Sequence, residues 1–365
     1  MKYEEQKYWI WLSYIPEMWY AKANKWLKMF DSPKEIFETK EESLKKTGIF
    51  SEKDINNIVY SKVHINIEEK WNYMESHGIK FVTVDDEEYI DKLKLYEDKP
   101  LWLYYKGNLP CEEEKLVGIV GARNCSGYGK SMAENIASKL SLYSIGVVSG
   151  LARGIDVAAH RGAIEGKGKT YAVLGCGVDI CYPRDNINTY MDIINNGGIM
   201  SEYPPGCQPI AWQFPYRNRI ISMLSDSVAV IEAKKKSGSL ITTDYALKYG
   251  KDVFALPGRV TDVLSEGCNE LIKTGASVLT EAEDMLFATG VYFEEDSKSK
   301  IKKKKILLEK ENEVVYSCLD LYPKGLDKLV NETQLLPQQI IQDLISLELE
   351  GKVKEISKNQ YVKVR

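Results

Sequence analysis

Arg217 and Arg219 have the clearest chemistry in this chain, because both lie in the segment FPYRNR (214–219), where a predicted helix begins. A helix N-terminus already carries unpaired N–H groups and a partial positive charge, so cations are misplaced there unless an anion binds beside them. Phe214 and Tyr216 alternate with the guanidinium groups and offer aromatic faces on which nucleobases could stack. The segment therefore predicts an anion site and raises nucleic acid as its ligand.

Three further arginines follow predicted strands, in glycine-containing or turn-forming loops. They are Arg123 in GARN (121–124), Arg153 in SGLARGID (149–156) and Arg184 in YPRDN (182–186). A strand, a glycine turn and a helix N-terminus together make an anion site from backbone N–H groups, and Ser126 can cap the helix after the first loop. We expect these guanidinium groups to converge on one anion. The alternative for Arg123 is an ion pair with an acidic neighbour.

Asp156 and His160 lie one helical turn apart in the helix that follows the second loop. Asp156 is a good N-cap residue, and His160 can hydrogen-bond it. A catalytic aspartate–histidine pair would need a nucleophile, and the sequence places none beside it. We therefore expect a structural cap with no catalytic role.

The loop KKKSGSLIT (234–242) links another predicted strand to a helix. Ser237 and Ser239, with Gly238 between them, can cap that helix and also donate hydroxyl groups to a phosphate. A last loop, PGR (257–259), carries one more arginine. The collection of glycine, hydroxyl and guanidinium groups indicates one shared site.

Short apolar runs alternate with helical stretches from residue 66 to about 290, which predicts a doubly wound α/β sheet. The predicted strands are 80–84, 116–120, 146–149, 170–174, 199–201, 227–231, 252–256 and 277–279, and the helices include 130–143, 157–164 and 242–248. Ligands of such sheets bind at the carboxyl ends of the strands, where the loops above would lie.

The sequence divides into four parts. Residues 1–65 predict a small helical domain of SAM or helix-hairpin-helix type, with Ser51 as a helix cap, and 66–292 the α/β domain. Residues 293–312 predict a charged linker, and 313–365 a winged-helix domain with helices at 314–319, 327–332 and 337–350 and strands at 352–356 and 361–364. The basic run in the linker could add DNA affinity, but a solvated tether is the simpler interpretation.

The third helix of the predicted winged-helix domain is acidic. It carries Asp343, Glu348 and Glu350 and no Lys or Arg. Such a helix would repel phosphate, so we expect this domain to contact protein and not to read DNA.

Composition excludes several classes of protein. The formal net charge of −4 over 365 residues means that any nucleic-acid contact must come from a local basic patch. The seven cysteines form no CxxC pair, which indicates reduced cysteines and no metal site. The N-terminus has no signal-peptide layout and no apolar run reaches the ~20 residues of a membrane span, so we expect a cytoplasmic protein without membrane contact.

A dinucleotide cofactor is not expected. The first loop lacks GxGxxG spacing, and the next strand ends in Val147-Val148-Ser149-Gly150, where a dinucleotide-binding protein has an acid for the ribose hydroxyls. We therefore expect no cofactor.

Taken in order, the loop motifs resemble those of the DNA-processing protein A (DprA/Smf) family over residues 100–285. The motifs are GARNCSGYG (121–129), SGLARGID (149–156) with His160, AVLGCGVDICYPRDN (172–186), SEYPPG (201–206), FPYRNRII (214–221), SGSLIT (237–242), PGR (257–259) and SEGCNELIKTGA (265–276). Two positions limit what the family pattern implies here. Ala122 stands where the family has a serine, which removes one possible phosphate hydroxyl, and Tyr216 occupies a variable position.

The resemblance implies an extended Rossmann-like domain that binds single-stranded DNA without cutting it. It also implies a homodimer through that domain and loading of the RecA recombinase during natural transformation, with the helical front and winged-helix tail as variable attachments. Carried over to this sequence, the DNA pocket would contain Arg123, Arg184, Phe214, Arg217 and Arg219. The loop chemistry adds Arg153, Tyr216, Ser237, Gly238 and Ser239.

Two other functions stay open at this point, as does general repair as the setting. A nucleotide-processing enzyme similar to the lysine-decarboxylase-like phosphoribohydrolases would share the sheet type. The loop SGSLIT, however, lacks the paired glycines and the following glutamate of their PGGxGT motif. A transcription factor that reads duplex DNA through its tail is disfavoured by the acidic third helix.

Overall fold

The computed structural model describes residues 2–291, 313–320, 322–349, 351–357 and 359–364. The chain forms two compact units, Met1–Tyr292 and Phe293–Arg365. The predicted linker, 293–312, lies outside the described residues.

The first unit starts with six helices and continues as an α/β domain. The helices are α1 (Lys2–Tyr14), α2 (Tyr20–Leu27), α3 (Pro33–Glu38), α4 (Glu41–Thr47), α5 (Glu52–His64) and α6 (Ile67–Ser76). There follow β1 (Lys80–Thr83), α7 (Asp91–Lys94), β2 (Trp102–Gly107), β3 (Lys115–Val120), α8 (Gly127–Leu142), β4 (Ile145–Ser149), α9 (Ile155–Glu165) and β5 (Thr170–Val173). After a 3-10 turn (Arg184–Asn186) come α10 (Ile187–Asn196), β6 (Gly197–Ser201), α11 (Gln213–Leu224), β7 (Ser227–Val230), α12 (Gly238–Lys248), β8 (Asp252–Ala255), α13 (Glu266–Lys273), β9 (Ser277–Val278) and a second 3-10 turn (Ala282–Met285).

The nine strands form one sheet in the order β1-β2-β6-β5-β4-β3-β7-β8-β9. Strands β3 to β9 are parallel to one another, whereas β1 and β2 are antiparallel additions at one edge. From β3 the chain moves outward through β4, β5 and β6 and then returns to place β7 on the other side of β3. The switch point, where doubly wound sheets bind ligands, therefore lies between β3 and β7.

Side chains of β3 show that both faces of the sheet are covered. Val117 and Ile119 pack in one core cluster with residues of α8 and α9, and Leu116 and Val120 pack in another with residues of α11 and α12. This alternation follows from the two-residue period of a strand. The predicted α/β class with a mostly parallel sheet is confirmed.

The N-terminal helices share a hydrophobic core with the sheet. Trp11 and Trp26 belong to the same cluster as Tyr104 of β2 and Ile199 of β6. Ser51 caps α5 as predicted, in a capping box with Asp54. The boundary predicted at residue 65 stays a prediction, because residues on both sides of it belong to one compact unit.

The second unit contains α14 (Glu313–Cys318), β10 (Lys324–Gly325), α15 (Leu326–Thr333), α16 (Pro337–Leu349), β11 (Val353–Ser357) and β12 (Gln360–Lys363). The three strands form an antiparallel sheet in the order β10-β12-β11. The core includes Val315, Leu329, Ile340 and Leu344. The helices and the last two strands lie where the sequence predicts them, and β10 is an additional strand.

Two observations bear on function classes. Within the described ranges, no helix combines the length and the apolar character that crossing a bilayer requires. The same residues contain no group of three or more His, Cys, Asp or Glu side chains placed to hold a metal ion.

Candidate nucleic-acid interface

A cavity of about 410 Å³ lies at the carboxyl ends of β3, β4 and β7, at the switch point of the sheet. Its lining comes from the loop after β3 (120–124), Ala152 and Asp156 after β4, the first turns of α11, and the segment between β7 and α12. Loops that are far apart in the sequence thus meet at one edge, as predicted.

Arg123 and Phe214 place a cation and an aromatic ring together in the lining. Arg123 is exposed, and its guanidinium carbon lies 5.7 Å from the centre of the Phe214 ring. Gly175 allows the ring this position, because a Cβ there would lie 2.9 Å from the Phe214 ring carbon Cδ1. The pair offers a phosphate contact and an apolar face side by side.

Arg217 lies deeper in the lining and is only 4% exposed. Its Nη1 donates to the carbonyl oxygens of Gly150, at 2.9 Å, and of Val173, which joins α11 to the ends of β4 and β5. Its Nη2 makes no hydrogen bond within the described residues. Burial lowers the pKa of the Arg217 guanidinium, and the nearby Asp156 carboxylate opposes that shift. Arg217 therefore supports the edge and also contributes positive charge to the cavity.

The start of α12 supplies the wall opposite the β3 loop. Ser237 is its N-cap, with the Ser237 and Ser239 hydroxyl oxygens 2.7 Å apart, and Gly238 lies between them. All three residues line the cavity. Ser237 accepts the Ser239 N–H through its side chain and the Leu240 N–H through its carbonyl oxygen. The Gly238 N–H, which makes no hydrogen bond within the described residues, is the donor that this helix start leaves for a phosphate.

The start of α8 is closed to such a ligand, which corrects the prediction for the first loop. Ser126 does cap α8, accepting the Gly129 N–H at 3.0 Å. However, the buried Glu232 carboxylate accepts the Ser126 N–H at 2.8 Å and the Ser126 hydroxyl at 2.5 Å. The protein's own anion occupies the place that a bound phosphate would take.

Asp156 and His160 differ from their predicted arrangement. Gly154 is the N-cap of α9, and Asp156, in the first turn, accepts the Ala152 N–H at 3.3 Å. His160 does not bond Asp156, because its Nδ1 lies 2.7 Å from the Thr170 hydroxyl. Burial lowers the pKa of His160 to about 3. The pair is structural, but it is not the cap that the spacing suggested.

Gly154 has a positive φ of 77° and approaches the β3 loop closely. A Cβ at this position would lie 2.2 Å from the Ala122 carbonyl oxygen. Only glycine fits such a contact, which holds the β3 and β4 loops together.

Arg219 and Tyr216 do not line the cavity, which corrects their predicted role. Arg219 is 1% exposed, and its Nη2 donates to a Glu202 carboxylate oxygen at 2.6 Å. Its guanidinium carbon lies 4.1 Å from the Tyr216 ring centre. Burial alone would lower the pKa of Arg219, but Glu202 raises it above its ordinary value. Residues two apart on a helix point about 200° apart, so Arg217 and Arg219 cannot share a face.

Arg153 and Arg184 lie outside the cavity lining. Arg153 donates to the Asp185 carboxylate at 2.5 Å, and both side chains are largely exposed. Arg184 is exposed and has no ion-pair partner within the described residues. The structure therefore brings together Arg123, Phe214, Arg217 and 237–239, and leaves these two arginines on the neighbouring surface.

The lining residues that were not predicted as site residues include Asn124, Asn218, Lys234 and Lys236. Both lysines are exposed and have no ion-pair partner in the described part of the chain. The lysine run at 234–236, directly before the serine loop, was the available signal. Asn124 and Asn218 carry no signal in sequence beyond standing next to Arg123 and Arg217.

Known proteins share this sheet and its loops. The family model for DNA recombination-mediator protein A matches residues 80–290. DNA processing protein DprA of Streptococcus pneumoniae is 45% identical over 206 residues, covering 56% of this chain and 72% of the relative. DprA of Bacillus subtilis is 39% identical over 209 residues, covering 57% and 70%. The chain belongs to the DNA recombination-mediator protein A family.

Two solved structures of this family match the fold. The X-ray structure of DprA from Streptococcus pneumoniae has a TM-score of 0.66 at 35% identity, covering 79% of this chain and 97% of that chain. DNA processing protein A from Helicobacter pylori, studied for its single-stranded DNA binding mode, has a TM-score of 0.51 at 31% identity, covering 58% and 95%. The matched family region, 80–290, contains the parallel strands and every cavity-lining residue named above.

Proposed function

We propose that the protein binds single-stranded DNA in the cavity between β3 and β7 and acts as a recombination mediator without cutting the strand. One observation carries this proposal: Arg123 lies over Phe214 at a cavity that also has Arg217 and the start of α12 in its lining. Cationic, N–H and aromatic groups on one surface fit a ligand that carries both phosphates and unpaired bases.

The binding mechanism divides the work between two kinds of group. Arg123, Lys234 and Lys236, with the Gly238 N–H at the start of α12, contact successive phosphates. Phe214 stacks a base. A duplex binds poorly, because its paired bases cannot turn into the cavity. No sequence preference is expected, since every base has a face that can stack.

The wider role rests on the family resemblance. We propose that the protein forms a homodimer through the α/β domain and loads RecA onto the bound strand during natural transformation or general recombination, in the cytoplasm. The second unit would then be a winged-helix module that contacts a protein, since its third helix, α16, carries Asp343 and Glu348 and no Lys or Arg.

Fluorescence anisotropy with single-stranded and duplex oligonucleotides over a salt series tests the proposal. If about four phosphates are neutralised, log affinity for the single strand falls with log salt at a slope near −2.8, from ~0.7 per contact. Arg123→Ala should weaken binding and reduce the slope by about 0.7. Lys115→Ala is the matched control, because Lys115 is an exposed cation at the opposite end of the same strand.

Equal affinity for duplex and single strand, or equal effects of the Arg123 and Lys115 changes, would contradict the proposal. Incubation with nucleoside monophosphates checks the enzymatic alternative, which predicts a released base. The described cavity lining offers Asp156 as its carboxylate, in contact with a backbone N–H, and the glutamate of the phosphoribohydrolase motif has no counterpart there.

A further inference from the structure

Tyr182 is an exposed aromatic residue next to the proposed DNA site. It lies in the loop after β5, is 47% exposed and does not belong to the cavity lining. Its ring centre is 5.5 Å from that of Phe214, with 31° between the ring planes. The two rings are thus neighbours, and about half of the Tyr182 surface stays accessible to a ligand.

The three side chains form one continuous surface. The Arg123 guanidinium carbon lies 5.7 Å from the Phe214 ring centre, and the Tyr182 ring centre lies 5.5 Å from the same point, so Phe214 contacts both side chains. Arg184, exposed and without an ion-pair partner in the described residues, is two positions beyond Tyr182. An aromatic face followed by a free cation repeats the chemistry of Phe214 and Arg123.

The loop that carries Tyr182 is fixed to the rest of the edge. The Asn186 side chain donates to the Leu151 carbonyl oxygen at 3.0 Å, and the Asn186 N–H donates to that of Pro183 at 3.1 Å. The Tyr190 hydroxyl contacts the Val178 carbonyl oxygen at 2.5 Å. Because these bonds hold the loop backbone, little of its conformational entropy is left to lose when a base stacks on Tyr182.

The strand order gives the direction of this surface. From the α12 start through the β3 loop to the β5 loop, the edge runs across β7, β3, β4 and β5. Three spacings of about 4.8 Å make roughly 14 Å, which a stacked single strand covers with about four nucleotides at ~3.4 Å each.

We propose that Tyr182 is a base-stacking residue of a second nucleotide subsite, outside the cavity, beside Arg184, which the family resemblance already implies as a DNA contact. The single strand then runs along the carboxyl edge of the sheet from the lysines before α12 to this subsite. This inference rests on the proposed function, since it extends the same site.

The effect of removing the Tyr182 ring on affinity should depend on whether the ligand carries bases. Tyr182→Ala is expected to weaken binding of an oligothymidylate of about 12 nucleotides roughly fivefold, while Tyr182→Phe binds like the wild type. With an abasic deoxyribose-phosphate oligomer of the same length, Tyr182→Ala should have no effect. The salt slope should stay unchanged, because tyrosine neutralises no phosphate.

Tyr60→Ala is the matched control, because Tyr60 of α5 is 55% exposed and lies in the N-terminal helices. The proposal is overturned if Tyr182→Ala binds oligothymidylate like the wild type, or if it loses equal affinity for the abasic oligomer. If Tyr182→Ala alone has no effect while Arg123→Ala weakens binding, only the second subsite fails. If Arg123→Ala has no effect either, the proposed function fails with it.

Discussion

Arg217 and Arg219 lie two residues apart on α11 and are both buried, yet they are held in different ways. Arg217 donates to carbonyl oxygens at the ends of two strands and keeps part of its guanidinium in the cavity lining. Arg219 faces the other side of the helix and pairs with Glu202. One short motif thus contributes to two layers: a lower layer of buried groups bonded within the protein, and an upper layer of groups that line the proposed DNA site.

The same division into buried, internally bonded groups and exposed groups applies to other residues at the carboxyl edge of the sheet. His160, Asp156 and Glu232 are buried and bonded within the protein, whereas Arg123, Lys234 and Lys236 are exposed. Substitution of a lower-layer residue should lower the unfolding free energy without changing DNA affinity, whereas substitution of an upper-layer residue should lower DNA affinity without changing stability. Substitution of Arg217 should lower both quantities.

The largest effect is expected for Arg219→Ala. Removing one partner of a buried pair leaves the Glu202 carboxylate uncompensated and should cost about 3 to 5 kcal/mol of unfolding free energy, measured by urea denaturation. The DNA affinity of the folded protein should not change. Lys248→Ala, which breaks an exposed pair with Asp98, is the control and should cost less than about 1 kcal/mol. A weakened DNA affinity of folded Arg219→Ala would place this residue in the upper layer instead.

Arg217→Ala should have an intermediate effect on stability together with an effect on binding. Two carbonyl oxygens lose a charged donor, which should cost about 2 to 3 kcal/mol of unfolding free energy. Affinity for all single-stranded sequences should fall, and the salt slope should flatten by less than about one unit. Arg217→Lys keeps the charge and cannot reach both carbonyls, so it should retain the slope while losing stability. Unchanged affinity and slope in Arg217→Ala would remove this residue from the DNA site.

The smallest effect is expected from the protonation of His160. Its folded-state pKa of about 3 lies below the ordinary value of 6.5, so the unfolded chain binds the extra proton as pH falls. The stability that depends on the neutral ring is complete above pH ~6.5 and is lost toward pH ~3, amounting to about 2 kcal/mol between pH 7 and 5.

His160→Asn should remove this part of the pH dependence of stability. The comparison with the wild type cancels the contribution of Asp156, whose pKa is raised by burial and whose effect has the opposite sign. DNA affinity at pH 7 should be the same in both proteins. Parallel stability profiles of the two proteins between pH 7 and 5 would show that His160 is not the titrating group.

Much of the fold follows from sequence because its strands are continuous apolar runs. The eight predicted strands correspond to β1 and β3 to β9. The central ones, β3 to β7, are buried on both faces almost throughout, which leaves little choice of residue type, whereas both residues of the edge strand β9 are exposed. Strand β2 was missed, since it pairs antiparallel with β1 and β6 and follows only α7, a helix of four residues, instead of a full crossover helix. Pairing of that kind depends on distant residues.

The site was predicted at the level of loops and less well at the level of side chains. Arg123, Phe214 and 237–239 meet as expected, because carboxyl ends of parallel strands share one edge. The divergence of Arg217 from Arg219 follows from helix period alone and could have been predicted. The partner of Arg219, a glutamate after β6, and that of His160, a threonine in β5, depend on tertiary packing that spacing does not encode.

The carboxylate of Glu232 at the start of α8 affects how well small nucleotides would compete with a DNA strand for the proposed site. In many α/β proteins the start of this helix binds a nucleotide's phosphate, but here the Glu232 carboxylate already accepts its donors. A free mononucleotide would lack this phosphate contact, whereas a polymer gains from each further contact along the edge at high effective concentration. The cell's pool of small nucleotides should therefore displace a bound strand poorly.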